Sequence, residues 1–203
     1  GNSLKEHLDN IQKACSSGSE LVQLRLKNIS EKKCLKLATE AREITSHFQT
    51  RLIINDYYKI AKAIKADGVH LGKTDCCPVE ARKHLYTWQI IGGTANTIQD
   101  CETLISKQVD YISLSPFRHA VTKGNIFKVL GLNGYNEIIE ALKTETPTIG
   151  FGGINTKDVT AILETGISGI AVSDVITKNF DVIRTFNQLL KASSTKELRH
   201  AFK

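Results

Sequence analysis

The chain has 203 residues, 41% of them hydrophobic, enough for one well-cored domain over 1–203, and it holds no apolar run of membrane-spanning length. Its 27 basic and 21 acidic residues leave a formal charge of +6 spread along the chain. That balance demands no nucleic-acid partner and equally suits an enzyme whose ligands carry phosphate.

The five cysteines, Cys15, Cys34, Cys76, Cys77 and Cys101, form no C-x-x-C pair, and their odd number argues against a disulfide framework. Free thiols in a reducing cytoplasm fit best, with the neighbours Cys76 and Cys77 read as small hydrophobes. No signal peptide opens the chain, and the absence of methionine places the expected natural N-terminus upstream of Gly1. A homo-oligomer is compatible with the sequence, which specifies no oligomeric state.

Leu4, Leu8, Ile11 and Ala14 fall at helical spacing, and a turn at 16–19 leads into a strand over 21–26. The alternation continues with a helix at 31–48, a strand at 51–55, a helix at 57–65, a strand at 68–71, a helix at 78–85 and a strand at 88–92. A helix at 97–106, a strand at 110–114, a long loop, a helix at 134–143, a strand at 147–151, a helix at 156–165 and a strand at 168–172 follow, with helices at the C-terminus. Pro78, Pro116 and Pro147 stand at element boundaries, where a fixed φ and a missing N–H do least harm.

Strict alternation predicts a parallel sheet with helical crossovers, either doubly wound or closed. In the strand at 21–26, Gln23, Arg25 and Lys27 share one face and Val22, Leu24 and Leu26 the other. An open sheet covered by helices on both sides would bury that polar face, whereas a barrel leaves it at the mouth of the lumen. The reading is therefore an α/β fold, a (β/α)8 TIM barrel. Seven strands are present and the chain starts on a helix, so the first strand is expected to be missing from the sequence given.

Polar residues gather at or just after the expected strand ends, where such barrels assemble their sites. These are Gln23, Arg25 and Lys27; Asn55 and Asp56; the stretch Gly68 to Gly72 with Asp75; Thr94; and the loop from Ser115 to Lys123. Asp56 and Asp75 follow adjacent strands and are candidate ligands for one Mg2+, which takes one or two carboxylates beside waters and substrate phosphates. The competing reading makes Asp56 the cap of the helix that follows it. Gly152 and Gly153 offer backbone N–H groups for a phosphate, with Val172 and Ser173 adding two more; a plain tight turn is the alternative. Thr122 and Lys123 lie in a long connection of the kind that forms binding loops, Lys123 as a point charge on diphosphate. His70 reads as a core histidine before a catalytic one.

On these residues the sequence resembles the thiamine phosphate synthase family. Gln23 to Lys27, Ile54 to Asp56, Ala66 to Gly72 with Asp75, Ile91 to Ala95, Asp110 to Ile112, Thr122 with Lys123, Gly152 to Ile154 and Ala171 to Ser173 occur in the family's order and spacing. The resemblance implies a transferase that joins an aminopyrimidine methyl diphosphate to a thiazole phosphate, giving thiamine phosphate and diphosphate. Gln23, Arg25, Lys27, Asn55 and Lys123 are implied to bind the pyrimidine diphosphate, with Arg25, Lys27 and Lys123 carrying the catalytic charge and Asp56 and Asp75 holding Mg2+. Thr94 stands where the family usually has a serine on the pyrimidine, and Thr122, Gly152, Gly153, Val172 and Ser173 are implied to hold the thiazole phosphate. In the family's mechanism diphosphate departs first, the aminopyrimidine stabilises the resulting methylene cation, and the thiazole nitrogen attacks it. Catalysis is then mostly charge neutralisation and positioning, without an acid/base pair.

One departure stands in the loop, where the family's Pro-Thr-x-Thr-Lys reads His119-Ala-Val-Thr-Lys123. Ala120 removes a hydroxyl, at a cost of about 1.5–3 kcal/mol if its hydrogen bond to phosphate is not replaced; Arg118 or His119 would be the compensating groups. A thiazole tautomerase-like barrel and a non-catalytic phosphate-binding paralogue are the rival readings. The tautomerase has no use for Asp56, Asp75 and Lys123 together, and the paralogue is supported only by Ala120.

Overall fold

The computed structural model describes residues 3–118 and 128–201. Two compact units form, Gly1–Gly93 with Lys107–Asp110, and Thr94–Ser106 with Tyr111–Lys203.

The first unit holds α1 (Leu4–Ser16), β1 (Leu21–Leu24), α2 (Glu31–His47), β2 (Arg51–Asn55), α3 (Tyr58–Ala63), β3 (Gly68–Leu71) and α4 (Pro78–His84), and β4 (Ile90–Ala95) begins in it. Ser3 caps α1 by accepting from the Glu6 N–H, and α2 turns Cys34, Leu37, Ala38, Ala41 and Thr45 inward at helical spacing. Neighbouring strands are parallel, pairing Leu24 with Ile54, Asn55 with His70, and His70 with Gly92. Leu52, Ile53 and Ile54 are all at most 1% exposed. Both faces of β2 are thus buried, as a parallel sheet requires.

The second unit holds α5 (Ile98–Ser106), β5 (Tyr111–Leu114), α6 (Gly131–Leu142), β6 (Thr148–Phe151), α7 (Val159–Glu164), β7 (Gly169–Ala171), α8 (Asp174–Lys178) and α9 (Val182–Ala201). Its strands are again parallel, Leu114 beside Gly150 and Phe151 beside Ala171. The fully buried Tyr135 of α6 ties them together: its hydroxyl donates to the Leu114 carbonyl at 3.0 Å and accepts from the Phe151 N–H at 3.1 Å.

The elements match those expected, with two instructive shifts. β1 stops at Leu24 rather than 26, because β2 runs only as far as Asn55 before Asp56 turns the chain at φ +68°. The in-out alternation of exposure nevertheless persists to Lys27. The strand expected at 88–92 is β4 at 90–95. Gln89 folds back as a turn, its side chain accepting from the Tyr86 N–H and donating to the Ala61 and Ala66 carbonyls. Trp88 is consequently left 53% exposed.

At the amino ends of the strands one device recurs. Asp67 Oδ2, just before β3, accepts from the Leu52 N–H of β2 at 2.7 Å and from Arg42 of α2 at 2.6 Å. Asp110 Oδ2, just before β5, accepts from the Ile91 N–H of β4 at 2.7 Å and from Arg82 of α4. Ser168, just before β7, accepts from the Thr148 N–H of β6 with its hydroxyl. Each satisfies a backbone donor at a strand start, the end of such folds that serves stability rather than chemistry. The Asp110 to Ile112 motif therefore has a structural reason.

Candidate functional site

The carboxyl ends of β1, β2 and β3 carry the polar groups of the first unit. Gln23 Nε2 donates to Asn55 Oδ1 at 3.2 Å, joining two residues that the resemblance assigns to one ligand. Asp56 follows β2 at once but does not cap α3: the capping position is Tyr57, without a side-chain bond. The competing reading of Asp56 as a helix cap is thereby removed. Asp75 is positioned by its own loop, Oδ2 accepting from the Gly72 N–H at 2.7 Å.

Electrostatics links the two carboxylates. Burial raises the Asp56 carboxyl above the ordinary range, and the nearby Asp75 charge raises it further. Two carboxylates that repel each other in the free protein fit a divalent cation held by both. Among the described residues no cluster of three or more His, Cys, Asp or Glu forms. Cys34 of α2, 1% exposed, feels Glu31 and Asp56, and its thiol is pushed up to about 11, mainly by burial. It is inert at neutral pH.

His70, 8% exposed on β3, has its pKa lowered to about 4, first by burial, with Asp75 opposing and Arg25 adding. Asp75 and Arg25 thus both lie within electrostatic reach of one ring. The neutral histidine supports the core reading. Because its folded pKa lies below the unfolded value of 6.5, the unfolded chain binds the extra proton between these limits. Stability is then full above pH 6.5 and falls as pH drops towards 4. We predict that the metal-free protein loses about 2 kcal/mol between pH 7 and pH 5 in urea titrations, and that His70→Gln flattens this slope. An unchanged slope in the variant would assign the loss to other groups.

In the second unit the strand ends carry Thr94 on β4, the loop from Ser115 to Arg118 after β5, Gly152 and Gly153 after β6, and Val172 and Ser173 after β7. Gly152 has φ +101° and Gly153 φ +73°, values that favour glycine. A Cβ on Gly152 would come within 3.0 Å of the Pro116 backbone, and one on Gly153 within 3.1 Å of Arg118 Cβ. Arg118 N–H donates to the Gly152 carbonyl at 2.9 Å, and Arg118 Nη1 to the Gly153 carbonyl at 2.6 Å. In a trans peptide the N–H points opposite to the preceding carbonyl. With both carbonyls turned to Arg118, the N–H groups of Gly153 and Ile154 are directed away from it.

In the first unit Gln23 is bonded to Asn55, Asp56 feels the charge of Asp75, and Arg25 and Asp75 both act on His70, while Gly152, Gly153, Val172 and Ser173 follow the strand ends of the other unit. Ala120, Thr122, Lys123 and His119 lie outside the described residues. Arg118 does not stand free to replace the hydroxyl missing at Ala120, because its guanidinium is committed to Asp158 and Gly153. That commitment was not legible in the sequence, where a lone Asp158 inside a helical stretch carries no signal. None of the five cysteines is in a disulfide, Cys76 and Cys77 included. No helix among the described residues is long and apolar enough to cross a membrane.

Comparison with known proteins accords with this geometry. The chain is 41% identical over 199 residues to a thiamine-phosphate synthase of Flavobacterium johnsoniae, covering 95% of this chain and 94% of that one. It is 36% identical over 187 residues to one of Bacteroides fragilis, covering 91% and 92%. Among solved structures, a thiamine phosphate pyrophosphorylase from Pyrococcus furiosus superposes with a TM-score of 0.79 at 24% identity, over 91% of this chain and 89% of that one. One from Bacteroides thetaiotaomicron gives 0.63 at 17%, over 92% and 90%. These two likenesses bear out the expected fold class, the parallel α/β barrel. With the family model described as thiamine monophosphate synthase matching residues 2–176 as well, the chain belongs to that family, enzymes of transferase type.

Proposed function

We propose that the chain is a thiamine phosphate synthase that displaces diphosphate from an aminopyrimidine methyl diphosphate with the ring nitrogen of a thiazole phosphate. The observation that carries this reading is the pairing of Asp56 and Asp75 after adjacent strands, close enough for the Asp75 charge to act on Asp56. Gln23 and Asn55, already hydrogen-bonded to each other, orient the pyrimidine diphosphate, and Arg25 and Lys27 meet its charge. Asp56 and Asp75 would hold Mg2+, which when bound neutralises charge on the departing diphosphate. Thr94 contacts the pyrimidine, and Lys123 adds a further point charge on diphosphate. The N–H groups of Gly153 and Ile154, with the backbone of Val172 and Ser173 and the hydroxyl of Thr122, hold the ester phosphate of the thiazole.

The chemistry asks for little proton transfer. The methylene carbon loses diphosphate, its cation is stabilised by the aminopyrimidine, and the thiazole nitrogen supplies the new C–N bond. The side chains fix the two partners and match the charge that develops, which accounts for most of the rate in such a reaction.

Isothermal titration of the chain with the pyrimidine diphosphate, with and without Mg2+, tests the reading together with turnover in the presence of the thiazole phosphate. Binding heat that requires Mg2+, and release of diphosphate only when both substrates are present, are the expected results. No heat and no turnover would sink it.

A further inference from the structure

Arg118 directs every described hydrogen bond of its backbone N–H and guanidinium at the turn after β6 and its brace. The backbone N–H donates to the Gly152 carbonyl, Nη1 donates to the Gly153 carbonyl and to Asp158 Oδ2, and Nη2 donates to Asp158 Oδ1 at 2.8 Å. Asp158 in turn accepts from the Asn155 N–H at 2.9 Å, closing the segment that follows the glycines. The Arg118 partner holds the Asp158 carboxyl below its ordinary pKa, so the pair is charged at neutral pH.

We infer that Arg118, braced by Asp158, is a positioning residue: it fixes the peptide planes of the Gly152–Gly153 turn so that the Gly153 and Ile154 N–H groups converge on the ester phosphate of the second substrate. The inference rests on the phosphate assignment made above. Glycines at positive φ are the residues whose peptide planes rotate most freely, and an unbraced turn must be ordered at the moment of binding. Two carbonyls held from the opposite side remove that freedom in advance. The site calls for arginine: a planar fork grips both Asp158 oxygens while one of its N–H groups still reaches the Gly153 carbonyl, which an ammonium does not reproduce. The Arg118 side chain is 48% exposed, so the pair by itself adds little to global stability and a merely structural role predicts small effects everywhere.

Inorganic phosphate titrated into the whole 15N-labelled chain reads the turn directly. In the wild type the Gly153 and Ile154 amide resonances are expected to shift saturably. Arg118→Ala should weaken that affinity about tenfold through lost preorganisation, Asp158→Asn should weaken it less, and Arg118→Lys should recover only part. In turnover, KM for the thiazole phosphate should rise in step, while kcat and KM for the pyrimidine diphosphate stay unchanged. Should Arg118→Ala fail to fold, Asp158→Asn and Arg118→Lys carry the same comparison. Wild-type amides that ignore phosphate, or Arg118→Ala binding it as tightly as the wild type, overturn the inference. Saturable shifts at Gly153 and Ile154 in a wild type without turnover would instead sink the synthase reading and leave the brace standing.

Discussion

Asp75→Asn is expected to lower kcat/KM about a hundredfold to a thousandfold, the scale of losing one preorganised electrostatic contact in a charge-separating step, while leaving the metal-free protein at least as stable as the wild type. Asparagine keeps an oxygen for the Gly72 N–H, so the loop geometry that Asp75 Oδ2 supplies is preserved. What disappears is the negative charge. In the free protein that charge pushes the Asp56 carboxyl upward on top of the effect of burial. Removing it relieves a like-charge repulsion, and the melting temperature without Mg2+ should rise or hold. Stability and activity thus move in opposite directions, as befits a residue kept for chemistry at some cost to the fold. Initial rates over a Mg2+ series, with melting curves in chelator, check both halves. A variant that retains the full rate would show that Asp75 does not serve the reaction, and a large fall in melting temperature would make its role structural.

Gly68→Ala is expected to destabilise the chain by about 3 kcal/mol or more, at or beyond the upper range for overpacking a close-packed interior. Gly68 opens β3 between β2 and β4, paired with Ile53 on one side and Ile90 on the other. A methyl group there would stand 2.2 Å from the Ile90 carbonyl oxygen and 2.6 Å from its side chain. The obstacle is backbone, which cannot swing aside as a side-chain tip can. The neighbouring Asp67, whose carboxylate caps the Leu52 N–H and pairs with Arg42, pins the chain just before this point and prevents a local shift. Urea denaturation read by fluorescence of Trp88 and by circular dichroism should show a lower midpoint with an unchanged slope. A midpoint equal to that of the wild type would mean that β3 and β4 can separate at no cost.

The alternation of elements was legible because helices and parallel strands write different periods into the apolar residues, and among the described residues seven strands appear where seven were expected. The polar residues at strand ends were legible for a related reason: a charged group next to a buried strand must emerge at its end or remain unsolvated. Strand ends themselves were less so. β1 stops two residues early because its partner turns at Asp56, and β4 starts two residues late because Gln89 is consumed by carbonyls of another segment. Neither partner is near in sequence.

Read alone, the chain settles its fold class, its kinship and the residue types gathered for an anionic ligand, since all three follow from periodicity and from motifs in order. Only the folded molecule reveals that Asp56 does not cap the helix after it, that Asp67 and Asp110 secure strand starts, and that Arg118 grips the glycine turn. The division has a physical origin: solvation and periodicity act on each residue through its near neighbours, whereas hydrogen-bond direction belongs to pairs such as Leu52 with Asp67 and Arg118 with Asp158, 15 and 40 positions apart, that meet in space alone.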